Sequence, residues 1–266
     1  MARNESTNPA LTRAFGSTGG PVGFHDRPQT STADPLEQAY FGPTATSRET
    51  GRMTVEDVAV RTGMLLGTAV LTGAATWFLG LEALAFPALI VGLILGLVIS
   101  FKQITNPALI LSYAAVEGVF LGGISKMFES AYSGIVVQAI VGTVGVAVTT
   151  LVLYRSGRIR VTPRFTKMVI GATLGYLALL VVNLVAGFFV DGGLGLFDGG
   201  LLSIGICLIA IGLAAMNLVL DFDLIERSAR QYVPERYGWL AAFGLMVTLV
   251  WLYIEILRLL SYLRDE

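Results

Sequence analysis

The sequence has very few of the residues that enzymes use for catalysis and for metal binding. It contains one cysteine, Cys207, inside an apolar run, and one histidine, His25, in a polar segment. A single cysteine supports neither a disulfide framework nor a cysteine-ligated metal cluster. With its one histidine in that polar segment and one cysteine in an apolar run, the chain lacks the ligand set of a typical zinc site and a histidine placed for a Ser-His-Asp triad. We therefore predict that the protein is not an enzyme and that it needs no cofactor.

Charged residues are also scarce, at 14% of 266 residues, whereas soluble domains average about 25%. Hydrophobic residues make up 54% of the chain. The net charge of −1 argues against nucleic acid as a partner, because nucleic-acid binding needs a basic surface. The composition predicts a membrane protein whose main partner is the lipid bilayer.

Residues 1–54 are rich in Ser, Thr, Gly, Pro and Asn, and we predict that they form a disordered tail. They show no basic region followed by an apolar run, so we do not interpret them as a signal peptide. Thr54, followed by Asp57 three residues later, resembles a capping box at the start of a helix.

Apolar runs long enough to cross ~30 Å of hydrocarbon recur after the tail. Residues 55–266 therefore predict an all-α bundle of seven transmembrane helices. The spans are placed at 58–79, 83–101, 107–128, 133–154, 167–190, 200–222 and 237–261. The first two are separated only by Gly80-Leu81-Glu82, so one bent hairpin is the alternative there.

The basic residues predict the orientation, because Lys and Arg concentrate in cytoplasmic segments. They occur in the tail and after the second, fourth and sixth spans. Those three breaks contain Lys102, then Arg155, Arg158, Arg160, Arg164 and Lys167, and finally Arg227, Arg230 and Arg236. We expect a cytoplasmic N-terminus and an external C-terminus.

Glycine pairs four residues apart predict close helix packing, since small residues let helix backbones approach each other. Such pairs are Gly63/Gly67, Gly92/Gly96, Gly118/Gly122 and Gly171/Gly175.

Glu117 lies ten residues after Pro107, which places it ~15 Å deep in a helix that is otherwise apolar. A carboxylate at that depth costs roughly 2.5 kcal/mol or more unless it finds a partner or water. Two interpretations stay open. Glu117 interacts with protons or cations, or it is a protonated acid that hydrogen-bonds to a neighbouring helix.

Two acids, Asp221 and Asp223, lie near the end of the sixth span. Asn217 shares a helix face with Asp221, and Arg227 is placed to form an ion pair with Asp223. Because the acids are two residues apart they point in different directions, so we expect at most one to face the bundle.

The seventh span is apolar on nearly every side, which is typical of a central helix. It contains Glu255, with Arg258 three residues later as a possible intrahelical partner. Thr248 in this span and Asn183 in the fifth are interpreted as packing hydrogen-bond groups.

Several of these segments resemble the Bax inhibitor-1 family. They are Phe222-Asp223 at the end of the sixth span and Glu255-Ile-Leu-Arg258-Leu-Leu in the seventh, in a chain of seven spans with a cytoplasmic tail. Asn106-Pro107 with Tyr113-Ala-Ala-Val-Glu117-Gly-Val-Phe-Leu-Gly-Gly-Ile-Ser125 is similar to the bacterial YccA-like branch. The resemblance covers roughly residues 55–262, and it implies that the protein lies in a bacterial cytoplasmic membrane.

The resemblance implies a pH-sensitive calcium leak in which the other six helices surround the seventh. It assigns a gating carboxylate to Asp223, and it places the partner acid ten residues before Arg258, where this chain has Thr248. A pair of carboxylates that share one proton therefore cannot form there. The alternative function is a regulatory protein that binds and restrains another membrane protein, such as a membrane protease.

Overall fold

A computed structural model describes residues 51–190, 193–196 and 198–265 of this chain. The predicted tail lies outside the described residues up to position 50. Seven long helices follow in chain order, with a 3-10 turn at Glu82–Leu84 between the first two. They are α1 (Val55–Leu79), α2 (Ala85–Lys102), α3 (Pro107–Ala131), α4 (Ile135–Arg155), α5 (Pro163–Ala186), α6 (Gly200–Arg230) and α7 (Tyr237–Asp265).

All seven helices are long and apolar enough to cross a membrane, which confirms the predicted all-α polytopic bundle. The first two spans are two separate helices. Gly80 ends α1 in the left-handed conformation, at φ 69°, and the 3-10 turn then leads into a separate α2. The predicted ends of two helices differ from the structure, since α5 ends at Ala186 and α6 continues to Arg230.

Local sequence signals explain where several helices begin. The Thr54 hydroxyl accepts a hydrogen bond from the Asp57 amide at 3.0 Å, and the Thr54 amide donates to the Asp57 carboxylate at 3.3 Å. This confirms the capping box. Asn106 caps α3 ahead of Pro107, a residue suited to the first helical position because its missing N–H is not needed there.

The residues just before α1 contact the connection between α6 and α7. Arg52 forms a bridge with Pro234 in the α6–α7 connection, and Met53 is buried. The buried Arg61 of α1 forms an ion pair with Glu235 and donates to its carbonyl oxygen at 2.5 Å. These contacts fix the start of α1 against the connection that leads into α7.

Helix α7 is the central helix of the bundle. It packs against α1, α3, α4 and α6, and it contacts α5 through a stack of Trp251 on Tyr176. Its side chains Met246, Leu252 and Leu257 are fully buried in the main hydrophobic core. Two polar side chains of this helix, Thr248 and Glu255, are buried with them.

Only two of the four predicted glycine pairs pack closely. A Cβ at Gly118 would collide with Ala69, and one at Gly122 would collide with Gly73, so α1 and α3 touch backbone to backbone. The Gly92/Gly96 pair contacts α3 side chains. The prediction is wrong for Gly63/Gly67 and Gly171/Gly175, because a Cβ at any of these positions would have no neighbour within 4 Å. Spacing alone does not tell which face of a helix meets another helix.

Candidate functional site

A line of polar side chains lies between α5, α6 and α7, and we call it the polar seam. It is arranged in three levels, each of which joins two of these helices. Its members are Asp221 with Thr248, Asn217 with Thr173, and Tyr176 with Glu255 and Arg258.

The first level joins α6 to α7 and is the level closest to the α6–α7 connection. The Thr248 hydroxyl donates to the Asp221 carboxylate at 2.7 Å, with the carbonyl oxygen of Gly244 as a second acceptor at 3.2 Å. Thr248 is buried and Asp221 is half-buried. Asp221 is therefore the carboxylate of α6 that contacts the helix position at which the family resemblance expects an acid.

Asp223 lies elsewhere. It forms an ion pair with Arg227, one turn later on α6, and the Arg227 side chain is 57% exposed. The predicted intrahelical pair is confirmed, and the Asp223 side chain itself is 15% exposed. The resemblance assigned the gating position to Asp223, whereas the contact with α7 is made by Asp221.

The second level joins α5 to α6. The Asn217 amide donates to the Thr173 hydroxyl at 2.9 Å and to the Leu213 carbonyl on its own helix at 2.9 Å. Asn217 and Asp221 share a face of α6, as their spacing predicted. The sequence analysis did not identify Thr173, because a threonine in a membrane helix usually bonds to its own backbone and gives no distinct signal.

The third level joins α5 to α7 at a buried ionic group. The Tyr176 hydroxyl donates to Glu255 Oε1 at 2.6 Å, and Glu255 Oε2 lies 3.5 Å from Arg258 Nη1. The Glu255 side chain is 3% exposed and that of Arg258 is 25% exposed. The predicted Glu255–Arg258 pair is therefore formed deep in the bundle. Tyr176 was also missed, although a tyrosine in the middle of an apolar span usually has a partner for its hydroxyl.

Glu117 does not belong to the seam. Its carboxylate lies against Gly92 of α2, where a Cβ would come within 3.0 Å of Oε2, and it interacts with Tyr113 one turn earlier. Tyr113 in turn packs edge-on against Phe243 of α7, with 4.9 Å between ring centroids. Glu117 thus faces α2 rather than Thr248, so it does not replace the acid that is missing at that position.

Asn183 lies at the opposite end of the bundle from Asp221. Its side-chain oxygen accepts a hydrogen bond from the Leu194 amide at 3.0 Å and so closes the turn after α5. This agrees with its interpretation as a packing group. Within residues 51–190, 193–196 and 198–265, no three His, Cys, Asp or Glu side chains lie together as a metal-binding group.

Comparison with known protein families identifies the family of this chain. A family model described as Bax inhibitor 1 like matches residues 9–265. The match begins at residue 9, so most of the N-terminal segment that the sequence analysis left outside the resemblance lies within it. Assignment to the YccA-like branch stays a prediction, and no curated protein matches the chain. The chain belongs to the Bax inhibitor 1 like family.

Proposed function

We propose that this member of the family is a pH-sensitive leak for Ca²⁺ or another cation in a bacterial cytoplasmic membrane, with the polar seam as its route. The observation that carries the proposal is the seam itself, which places two carboxylates, Asp221 and Glu255, inside membrane-spanning helices. Ionisable groups at that depth are costly, and they typically mark ion or proton pathways.

The three levels follow one another along the bundle in the order that a pathway requires. Thr248 and Glu255 are seven residues apart on α7, which is about 10.5 Å along the helix axis. Asn217 precedes Asp221 by one turn on the antiparallel α6, so its level lies between the other two. A cation that passes along the seam meets oxygen atoms at each level, as hard cations such as Ca²⁺ prefer.

The gating role falls to Asp221. When it is ionised, its carboxylate accepts the hydrogen bond from Thr248 and offers negative charge to a cation. When it is protonated, its hydroxyl can donate to Thr248 while Thr248 donates to Gly244, so the helix contact persists but the charge is lost. We therefore expect the leak to fall as the pH falls.

Arg258 is the main electrostatic obstacle to a cation on this route. Its guanidinium is positive and partly buried, and the neighbouring Glu255 carboxylate offsets that charge. This arrangement suits a slow leak rather than a wide pore, because a cation must compete with Arg258 for Glu255.

The decisive experiment measures Ca²⁺ entry into proteoliposomes at several pH values. We expect the wild type to leak, and we expect the flux and its pH dependence to be lost in Asp221→Asn. Asp223→Asn is the matched control, since it neutralises an acid two residues away that lies outside the seam.

The outcomes separate the alternatives. No flux for the wild type at any pH would overturn the leak. Loss of pH dependence in Asp223→Asn but not in Asp221→Asn would return the gating role to Asp223, as the family resemblance has it. A flux that rises on acidification would contradict attraction by an ionised Asp221.

A second candidate is a regulatory protein that binds another membrane protein. The observation that favours it is the contact of Arg52 and Met53 with the α6–α7 connection, which attaches the residues just after position 50 to the bundle. Removal of residues 1–50 distinguishes the two functions. A leak in proteoliposomes should survive the truncation, whereas a partner held by that segment should be lost in co-purification.

A further inference from the structure

A groove with a volume of about 690 Å³ runs between α1 and α4, on the side of α7 away from the polar seam. Its walls include Val70 and Phe78 of α1 and Val144 of α4, which are 69%, 84% and 56% exposed. Leu121 of α3 and Val250 of α7 form part of its floor. The groove therefore opens on the outer surface of the bundle, along the membrane-spanning part of these helices.

The packing of the bundle creates this groove. At Gly73 and Gly122 the backbones of α1 and α3 are in direct contact, which holds α1 close to α3. Helix α4 packs against α6 and α7, with a smaller contact to α3. Since α1 and α4 both pack against α7 but make no extensive contact with each other, the space between them is left unfilled.

The oxygen-bearing side chains that line the groove already have partners in the protein. The hydroxyls of Ser125 and Tyr253 bond to each other at 2.7 Å, and Thr143 donates to the Ala139 carbonyl at 2.7 Å. Glu129, at one end, accepts hydrogen bonds from two backbone amides at the start of α4, at 2.6 and 3.1 Å. A polar solute would lose its hydration here with little in return, whereas a hydrocarbon would lose nothing.

The dimensions identify the kind of hydrocarbon. The lining on α1 runs from Leu66 to Phe78, a rise of about 18 Å. One leaflet of a bilayer contributes about 15 Å of hydrocarbon, which is half of the ~30 Å core. The groove therefore matches the length of one acyl chain.

We propose that this groove is a binding site for one acyl chain of a bilayer phospholipid. The groove is continuous with exposed apolar surface on α1 and α4, which faces lipid in any membrane orientation. A chain can enter sideways without leaving hydrocarbon, so a phospholipid is favoured over a fatty acid that arrives from water. The site is independent of the proposed leak.

Bound lipid would touch the central helix. Leu249, Val250 and Tyr253 of α7 line the groove, while Thr248 and Glu255 on the same helix belong to the polar seam. Occupancy of the groove therefore supports α7 from the side opposite to its polar contacts.

The test counts lipids on the purified full-length chain by native mass spectrometry during titration with palmitoyl-oleoyl phosphatidylglycerol. Ala74→Trp places a large ring in the groove, and its matched control, Ala75→Trp, places the same ring on the adjacent exposed position. We expect Ala74→Trp to weaken retention of one lipid at least tenfold and Ala75→Trp to leave it unchanged.

A second pair of variants tests the groove even if Ala74→Trp does not fold. Val144→Ser removes apolar surface from the groove wall without adding bulk, and Val141→Ser does the same on a neighbouring exposed position outside the lining. We expect a several-fold loss of retention in Val144→Ser alone. Equal retention by all four variants, or retention of palmitate in place of the phospholipid, would overturn the proposal.

Discussion

The two sides of α7 meet very different surroundings. At 100° per residue, Thr248, Trp251 and Glu255 lie on one side of the helix, and Leu249, Val250 and Tyr253 lie on the other. The first side joins α5 and α6 through hydrogen bonds and a stacked ring pair. The second side forms the floor of an apolar groove that is open to lipid.

This difference shows how a membrane bundle separates two kinds of surface on one helix. In hydrocarbon, a polar group without a partner costs several kcal/mol, so polar side chains collect where neighbouring helices provide partners. Apolar side chains have no such need, and they can face a lipid chain as readily as another helix. The comparison predicts that substitutions in the seam act through lost partners, and that those near the groove act through shape.

The largest effect is expected for Arg258→Leu. This change leaves the buried Glu255 carboxylate without its guanidinium, and breaking a buried ion pair from one side costs about 3–5 kcal/mol. The free energy of unfolding in detergent, measured by denaturant titration, should fall by that amount.

The double variant Glu255→Leu/Arg258→Leu should recover much of the loss, because it removes both charges together. Arg230→Leu is the exposed control, since it breaks the surface pair with Glu226 and should cost about 1 kcal/mol or less. If Arg258→Leu costs no more than this control, the seam does not isolate its charges from solvent.

Thr248→Val comes next. It keeps the side-chain shape but removes the hydroxyl that donates to Asp221, and a hydrogen bond to a charged group contributes about 1.5–3 kcal/mol. Thermal unfolding should show the loss. Thr68→Val is the control, because the Thr68 hydroxyl is exposed and bonds only within its own helix, to Met64. An equal, small effect in both variants would argue against a structural Asp221–Thr248 contact.

Gly122→Leu tests the groove side of the comparison. Its side chain would collide with the backbone of Gly73, and overpacking of this kind typically costs about 1–3 kcal/mol. Gly175→Leu, at a position where a Cβ has no neighbour within 4 Å, should leave the free energy of unfolding unchanged or slightly higher. If both variants unfold at the same temperature, the close approach of α1 and α3 does not hold the bundle.

The smallest effect is expected for Asp223→Asn. It removes a charge from an intrahelical pair whose arginine is exposed, and such pairs contribute about 0.3–0.5 kcal/mol. Unfolding by denaturant should therefore be nearly that of the wild type. A loss above 1.5 kcal/mol would show that Asp223 has an internal role like that of Asp221.

The sequence predicted the seven spans well, because apolar length and the local signals at Thr54 and Asn106 act within single segments. It also placed Glu255 beside Arg258 correctly, since three residues on one helix fix that distance. It did not distinguish Asp221 from Asp223 as the partner of α7, because that choice depends on how α6 is rotated about its axis. It also did not predict that Glu117 faces Gly92, because that depends on how α3 is rotated about its axis.

By itself, the sequence determined that this chain is a bundle of seven apolar helices with a few internal carboxylates. The preference of apolar side chains for hydrocarbon is a property of each residue type, so composition and run length are sufficient for that result. Only the tertiary structure decided which carboxylate meets Thr248, which glycines touch another backbone, and where a groove is left between α1 and α4. Those outcomes depend on how each helix is rotated and on how closely helices approach each other. Contacts between residues that are distant in the chain determine both.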